Sequence, residues 1–355
     1  MLPTTRNDEP VPLATLLARV ATGETLSGDE AEAAFTAIMS GTASHVQTAS
    51  LLVALRVRGE TPAEIAGGVR ALRRAMIPVR TTDGEPLIDT CGTGGGALTT
   101  FNISTAAALV AAGAGARIAK HGNRSFTSRS GSADVLEALG VVIDLTPDAM
   151  AAVLEEAGIV FMFAPLLHPA MRHAAPVRRE LGIPTIMNLL GPLTNPAGAR
   201  RQVVGVADPS RLDVVADALR ELGHDRALVV HGEPGMDELS PLGPSEVVEL
   251  RDGALRRYRF DPAERLGWDG FDASELAGGD PAENARVIED VLAGRRAGAA
   301  RAAVVLNAAA ALYVAGRAES VEDGVALAER TIDGGAAYDA LERLRDASRR
   351  AAARA

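Results

Sequence analysis

Apolar and polar positions along the chain fall into two regimes. Over residues 12–76 the apolar ones recur at helical spacing. Leu13, Leu16, Leu17 and Val20 form one run after Pro12, Phe35, Ile38 and Met39 mark the next, and residues 45–57 are strongly apolar. Ser27-Gly28-Asp29-Glu30 opens the second run. Thr61-Pro62-Ala63-Glu64 carries the capping-box signature with proline at the first helical position, and predicts a helix to about residue 76. A small bundle layer of four helices with short links follows from this pattern.

From residue 78 short apolar runs alternate with helical patterns. Strands are predicted at 86–89, 116–120, 141–144, 159–164, 201–207 and 226–231. Helices are predicted between them at 103–113, 146–157, 169–181 and 208–222. The proline-rich segment 184–196, with apolar anchors, reads as a crossing between layers. Asp252-Gly253, between 245–250 and 254–260, signals a hairpin, and helices dominate from about 281 onward. The Arg/Ala-rich end after Ser348 is expected to fray. Strands separated by helices of this length imply a largely parallel, buried sheet, hence an α/β chain with an all-helical N-terminal part.

Composition narrows the class. A chain of 355 residues holds one large domain or two smaller ones. Its net charge of -10, with no long basic stripe, argues against a general nucleic-acid partner. One cysteine, Cys91, rules out a disulfide framework and a cysteine-ligated zinc site, and makes the cytoplasm the default expectation. The N-terminal residues lack a basic-then-apolar leader pattern. The most apolar late segment, 302–315, is alanine-rich, contains Asn307 and is too short to span a bilayer, so a buried helix and no membrane partner are expected.

The chemistry concentrates at 88–134. A buried-type strand leads into Gly92, Gly94, Gly95 and Gly96, and then into an alanine-rich helix with Asn102 as N-cap. The strand at 116–120 runs into a polar loop at 121–131. Strand, glycine loop, helix N-terminus and strand bind anions: glycines let the backbone approach a phosphate, and the first helical amides point at it. Asn102, Ser104, Thr105, Lys120, Asn123, Arg124, Ser125, Ser128 and Ser132 add donors and cations. Gly92-Thr93-Gly94-Gly95-Gly96-Ala97 also fits the dinucleotide pattern G-x-G-x-x-A. That fold wants an acid after the second strand to hold a ribose hydroxyl, and this chain has Lys120 and His121 there. A phosphate ester is the better reading.

These residues resemble one family closely, the anthranilate phosphoribosyltransferases. The blocks are Gly92-Thr93-Gly94-Gly95, Thr100-Phe101-Asn102-Ile103-Ser104-Thr105, Lys120-His121-Gly122-Asn123-Arg124-Ser125 and Gly131-Ser132-Ala133-Asp134. Phe163-Ala164-Pro165, His168-Pro169-Ala170-Met171, Ala175-Pro176-Val177-Arg178, Asn188-Leu189-Leu190-Gly191-Pro192-Leu193 and Asp237-Glu238 follow in family order. The resemblance implies that the amino group of anthranilate attacks C1 of 5-phosphoribosyl 1-diphosphate, giving N-(5-phosphoribosyl)anthranilate and diphosphate in tryptophan biosynthesis. It implies a small helical domain, 1–77, completed by an inserted segment near 175–198, and a larger α/β domain, 78–174 and 199–355, with the active site at the hinge. A homodimer paired through the helical domain is implied too.

By the same resemblance, phosphoribosyl diphosphate would be held by Gly92, Gly95, Gly96, Thr100, Asn102, Ile103, Ser104 and Thr105 on the first half of the site. Lys120, His121, Gly122, Asn123, Arg124, Ser125, Phe126, Thr127, Ser128 and Ser132 would hold it on the second. Gly92, Asn123 and Arg178 would meet anthranilate, the guanidinium forking onto its carboxylate. Magnesium would be held by Ser104, Asp237 and Glu238, with Lys120 and the metal stabilising the leaving group. No residue is assigned as acid or base, and His121 and His168 are candidates only for lining the pocket or relaying a proton. Plain helix capping is the bland alternative for Asn102 and Ser132, a solvated turn for Asp237-Glu238, and a surface salt bridge for Arg178. Gly96 and Ala97 stand where the family usually has Asp and Gly, which predicts an altered magnesium dependence and, at Ala97, a resisted positive φ.

Competing readings share the fold. A pyrimidine nucleoside phosphorylase would share the Lys120–Arg124 block but needs no diphosphate-bound metal pair. A transferase acting on a substituted aminobenzoate would keep every block. A non-enzymatic nucleic-acid-binding relative conflicts with the negative charge.

Overall fold

A computed structural model describes residues 11–82, 84–125 and 129–354. The chain folds as two compact units, one of residues 1–76 and 169–190, the other of 77–168 and 191–355.

The first unit is helical. Its helices are α1 (Leu13–Ala21), α2 (Gly28–Met39), α3 (His45–Arg58) and α4 (Pro62–Ala75). Three of them start with a reciprocal capping box, at Ser27/Glu30, Ser44/Gln47 and Thr61/Glu64. The core takes one stripe from each helix, with Leu16, Phe35, Leu52 and Ile65 fully buried. Gly67 and Gly68 sit inside α4, where glycine costs about 1 kcal/mol relative to alanine. Packing explains them. A Cβ on Gly67 would lie 2.2 Å from the Gly28 carbonyl oxygen, and one on Gly68 2.8 Å from Leu190.

The second unit carries a seven-stranded sheet in the order β3-β2-β1-β4-β5-β6-β7. The strands are β1 (Leu87–Gly92), β2 (Arg117–Gly122), β3 (Ile159–Phe163), β4 (Arg201–Gly205), β5 (Arg226–Gly232), β6 (Ser245–Arg251) and β7 (Ala254–Phe260). The first five are parallel, and β6 pairs antiparallel with both β5 and β7. Asp252 and Gly253, both at positive φ, make the predicted hairpin turn. The crossing helices are α5 (Ile103–Gly113), α6 (Ser132–Ala138) and α7 (Pro147–Ala157). They are followed by α8 (Ala164–Leu167), α9 (Ala175–Leu181) and α10 (Ile186–Leu190), of which α9 and α10 belong to the helical unit. Next come α11 (Leu212–Glu221), α12 (Pro262–Leu266), α13 (Pro281–Leu292), α14 (Gly298–Ala315), α15 (Val321–Asp333) and α16 (Ala336–Ala352).

Several expectations change. The inserted segment of the helical unit is 169–190, not 175–198. Residues 191–198 stay with the sheet because Asn195 is bonded to Asp89 and to the Ala119 carbonyl. Residues 141–144 form no strand: Val141, Ile143 and Leu145 alternate into the core, but the Val142 amide donates to Ser348 on α16 rather than to a neighbouring strand. The helix expected over 169–181 is a 3₁₀ turn, Pro169–His173, followed by α9, with Pro176 in the first turn of the second piece. The tail past Ser348 continues α16 to Ala352, with Ala351 buried. α14 has 18 residues, long and apolar enough by composition to cross a membrane. Its length excludes nothing. Its setting is decisive, since 83% of it is buried inside the α/β core.

Candidate active site

Four parallel strands end in glycine at the carboxyl edge of the sheet: Gly92, Gly122, Gly205 and Gly232. Each is there because something lies on it. A Cβ on Gly205 would lie 1.5 Å from the Asp237 carbonyl oxygen, and one on Gly92 2.5 Å from Asp237 Oδ2. One on Gly232 would lie 2.5 Å from the Glu238 carbonyl oxygen, and one on Gly122 2.3 Å from Ser132 Oγ. The loop after β5 is thus laid directly over the ends of β1, β4 and β5. The chain leaves β1 toward β2 on one side and reaches β4 on the other, so β1/β4 is the point where strand order reverses, the usual ligand crevice of an open parallel sheet.

The glycine loop after β1 is docked to that acidic loop. The Gly94 amide donates to Asp237 Oδ2 (2.9 Å), and the Ala97 amide to the Gly235 carbonyl (2.8 Å). Gly94 and Gly95 take the left-handed conformations, at φ 67° and 81°. Ala97 does not, so the expected resistance to a positive φ does not arise. Gly96 has a steric reason: a Cβ there would lie 2.8 Å from the Gly235 carbonyl oxygen.

Lys120, on β2, is 3% exposed. Its Nζ donates to the Thr90 carbonyl and contacts the hydroxyl oxygens of Ser104 (3.3 Å) and Thr90 (3.4 Å). Burial lowers its pKa, opposed first by the Asp89 carboxylate and, more weakly, by Cys91 and Glu238. Asp89 is completely buried and accepts from the His121 amide (3.1 Å), Asn195 Nδ2 (2.8 Å) and Gln202 Nε2 (3.5 Å). Burial pushes its pKa up to about 6 against the pull of Lys120. This carboxylate supplies the counter-charge for a lysine whose donors point at oxygens rather than at an acid.

Asp237 and Glu238 are both raised by burial. For Glu238 the neighbouring Asp237 adds to the rise and Lys120 opposes it, while for Asp237 the Gly94 amide opposes it. Glu238 Oε2 is buried without a hydrogen-bond partner among the described residues. Two adjacent carboxyls held above their ordinary range, one with an orphaned oxygen, suit a cation. Among the described residues no three His, Cys, Asp or Glu converge. A metal here would take few protein oxygens and complete its shell from ligand and water, as magnesium does with phosphates.

The other predicted residues divide. Asn102 precedes α5 but does not cap it with its side chain; Nδ2 donates to the Ser130 carbonyl, and Oδ1 accepts from Asn284 Nδ2 (3.0 Å) and Ser130 Oγ (3.2 Å). Ser132 does not cap α6 either. Its hydroxyl donates to the Asn123 carbonyl, and Asp134 takes the Gly131 amide. The bland capping reading fails for both. The Ile103 side chain is buried in the apolar core, and Thr105 is buried with its Oγ1 lacking a hydrogen-bond partner among the described residues. Arg124 pairs with Asp134 and Glu137 of α6, which ties the loop to the helix. Asn123 Oδ1 accepts the Arg124 amide, Ser125 reaches Asp134, and Thr100 bridges to Ala277. Phe126, Thr127 and Ser128 lie outside the described residues. His121 and His168 are both buried with Nε2 atoms 3.2 Å apart; burial lowers them to about 3 and 4, which keeps the pair neutral. Arg178, on α9 of the helical unit, is half-buried and makes no ion pair among the described residues, while Arg179 beside it is exposed. The surface salt bridge is therefore not its role.

Sequence reasoning missed Asp89, Asn195 and Gln202. A carboxylate inside the apolar run Leu87-Ile88-Asp89 was the available signal.

A glycine loop, a buried lysine and paired acids at the switch point of a parallel sheet define an enzyme that handles a phosphorylated, anionic substrate. The family model for the a/b domain of a glycosyl transferase family matches residues 84–338, and that for its helical bundle domain matches 14–76. Within that class, the chain belongs to the anthranilate phosphoribosyltransferase family. It is 56% identical to the anthranilate phosphoribosyltransferase of Rubrobacter xylanophilus over 95% of its own length and 98% of that protein. The crystal structure of the Thermus thermophilus enzyme superimposes with a TM-score of 0.88 at 48% identity, covering 94% of this chain and 99% of that one. The Saccharomyces cerevisiae enzyme in complex with PRPP and Mg gives a TM-score of 0.85 at 28% identity, covering 95% of this chain and 97% of that one.

Proposed function

We propose that the chain transfers the phosphoribosyl group of 5-phosphoribosyl 1-diphosphate to the amino group of anthranilate, in tryptophan biosynthesis. The observation that carries this reading is the meeting of glycine loop and acidic loop, joined by the Gly94–Asp237 bond, beside a buried lysine. Displacement at C1 leaves positive charge on the ribose and negative charge on diphosphate, so catalysis is leaving-group stabilisation and alignment. Lys120 and Ser104 offer a cation and a hydroxyl to the diphosphate, and the amides of the glycine loop and of the α5 N-terminus offer further donors. Asp237 and Glu238, with Ser104, would hold magnesium, which supplies positive charge at the diphosphate oxygens when bound. The aromatic amine is neutral at pH 7 and needs little base help to attack: the C1–N bond forms as the C1–O bond to diphosphate breaks, and the nitrogen's surplus proton passes to solvent.

Arg178 takes the anthranilate carboxylate in this reading. A charge-assisted fork is worth about 1.5–3 kcal/mol, so Arg178→Ala should raise the Michaelis constant for anthranilate roughly ten- to a hundredfold and leave that for phosphoribosyl diphosphate near wild type. An unchanged anthranilate constant would remove Arg178 from the site.

The deciding assay follows anthranilate fluorescence with phosphoribosyl diphosphate and magnesium. Anthranilate left unconsumed, with thymidine cleaved by phosphate instead, would replace the proposal with the phosphorylase reading. Faster turnover of a substituted aminobenzoate would reassign the acceptor.

The enzyme works as a homodimer in the cytoplasm. On α3, Val46 and Val57 are 76% and 82% exposed, with Ser50 and Val53 on the same helical stripe. An exposed apolar stripe of this kind suits coverage by a second copy, and a single half-buried cysteine suits a reducing compartment. Val57→Asp should halve the mass seen by light scattering. Wild-type protein running as a monomer would end the dimer proposal, and an intact Val57→Asp dimer would move its interface elsewhere.

A further inference from the structure

α14 is buried along nearly its whole length and is built mainly from alanine, valine and leucine, with one amide among them, Asn307. Asn307 is 4% exposed. A lone amide on an apolar helix costs free energy unless each of its polar atoms is matched, and here each is. Oδ1 accepts the Leu239 amide (3.0 Å), and Nδ2 donates to the Leu239 carbonyl (2.9 Å) and to the Ala303 carbonyl one turn back (2.9 Å). The side chain thus grips both polar groups of a single residue, and that residue follows Glu238.

We propose that Asn307 is the positioning residue of the acidic loop: it fixes Leu239 to the core helix and so sets where the Asp237 and Glu238 carboxylates stand. The inference rests on the reading of these acids as metal ligands. The rest of the loop shows why an anchor is needed there. Its start is pinned by the mutual Gly232–Met236 backbone bonds, and its end by the Ser240 amide on Ser245 Oγ. Between them, the Asp237 side packs on the bare ends of β1 and β4, and its carboxylate is bonded to the Gly94 amide of the glycine loop rather than to a core element. Asn307 supplies the hydrogen bonds to the core, on the other side of Glu238. Partners that orient ligand groups typically tune metal affinity ten- to a hundredfold without touching the metal.

The test is Mn²⁺ binding, followed by electron paramagnetic resonance with inorganic diphosphate present, on the full chain. Asn307→Leu, and Asn307→Asp should the first not fold, is expected to weaken Mn²⁺ about tenfold or more. Half-saturating magnesium in turnover should rise in parallel, with a smaller fall in kcat. Tyr313→Phe on the same helix removes a buried hydroxyl bonded to Glu249, away from the loop, and controls for general loss of stability. It should lower the melting temperature and leave Mn²⁺ affinity unchanged. Folded Asn307 variants that lose melting temperature but keep wild-type Mn²⁺ affinity would overturn the positioning role. Asp237→Asn and Glu238→Gln separate the two layers. If they too leave Mn²⁺ binding intact, the metal reading itself is lost; if they abolish it while both Asn307 variants bind normally, only the present inference fails.

Discussion

Replacing Lys120 by methionine should lower kcat for phosphoribosyl transfer by about a thousandfold, roughly 4 kcal/mol at about 1.4 kcal/mol per tenfold. Methionine keeps the volume and the apolar stem and removes only the charge. That charge is costly to hold at 3% exposure, and the protein holds it without a hydrogen-bonded acid; the ammonium faces the Thr90 carbonyl and the Thr90 and Ser104 hydroxyls. Asp89 supports it at longer range, itself pinned by Asn195 and the His121 amide. A buried cation facing weak acceptors is free to answer a leaving diphosphate, and a low local dielectric makes that answer large. The sign of the pH dependence follows. Burial lowers the Lys120 pKa, so the wild-type rate should fall on the alkaline side at a pH below that of an ordinary lysine, as the ammonium loses its proton. Lys120→Met should be slow at every pH and lack that limb. A folded variant, checked by its melting curve, that turned over at the wild-type rate would remove Lys120 from the chemistry.

The frame of the molecule was readable because its signals are local. Capping residues at Ser27 and Thr61, the Asp252-Gly253 turn and the alternation of short apolar runs with helices each act within a few residues. What stayed hidden depends on partners distant in the chain. Residues 141–144 have strand alternation, yet what they meet is a serine of α16, and periodicity cannot announce a missing neighbour. Asn102 looked like a cap because it precedes a helix, and only the fold brings Asn284 to take its oxygen. The two α6 carboxylates that pair with Arg124 lie 10 and 13 positions on, beyond the reach of a motif read from the loop alone. The glycine loop and Lys120 could be found by eye as a motif. The carboxylate network under them, Asp89 with Asn195 and Gln202, joins residues more than 100 positions apart and left only one trace, a charge inside a buried strand.

Gly205→Ala should have the next largest effect after losing the lysine, although position 205 bears no functional group. The added methyl would stand 1.5 Å from the Asp237 carbonyl oxygen, against an ordinary contact of 3.4–4 Å, so the acidic loop must move by more than an ångström. A displacement of that size costs about a hundredfold where alignment carries the rate. The expected result is a fall in kcat of about that amount, with half-saturating magnesium raised at least about tenfold. Gly198→Ala is the control: its φ of +70° strains an alanine, but nothing lies within 4 Å, so it should cost about 1 kcal/mol of stability and leave magnesium titrations unchanged. Gly96→Asp falls between the two. Its Cβ would approach the Gly235 carbonyl oxygen to 2.8 Å, and its carboxylate would add negative charge beside the Asp237 loop. A displaced magnesium curve is expected for it, and superimposable curves for Gly96→Asp and wild type would show that this crossing of two loops tolerates an acid. If Gly205→Ala also kept the wild-type curve, the carboxylates could not be registered by the bare ends of β1 and β4, and the physical basis assigned to the glycine edge would be gone.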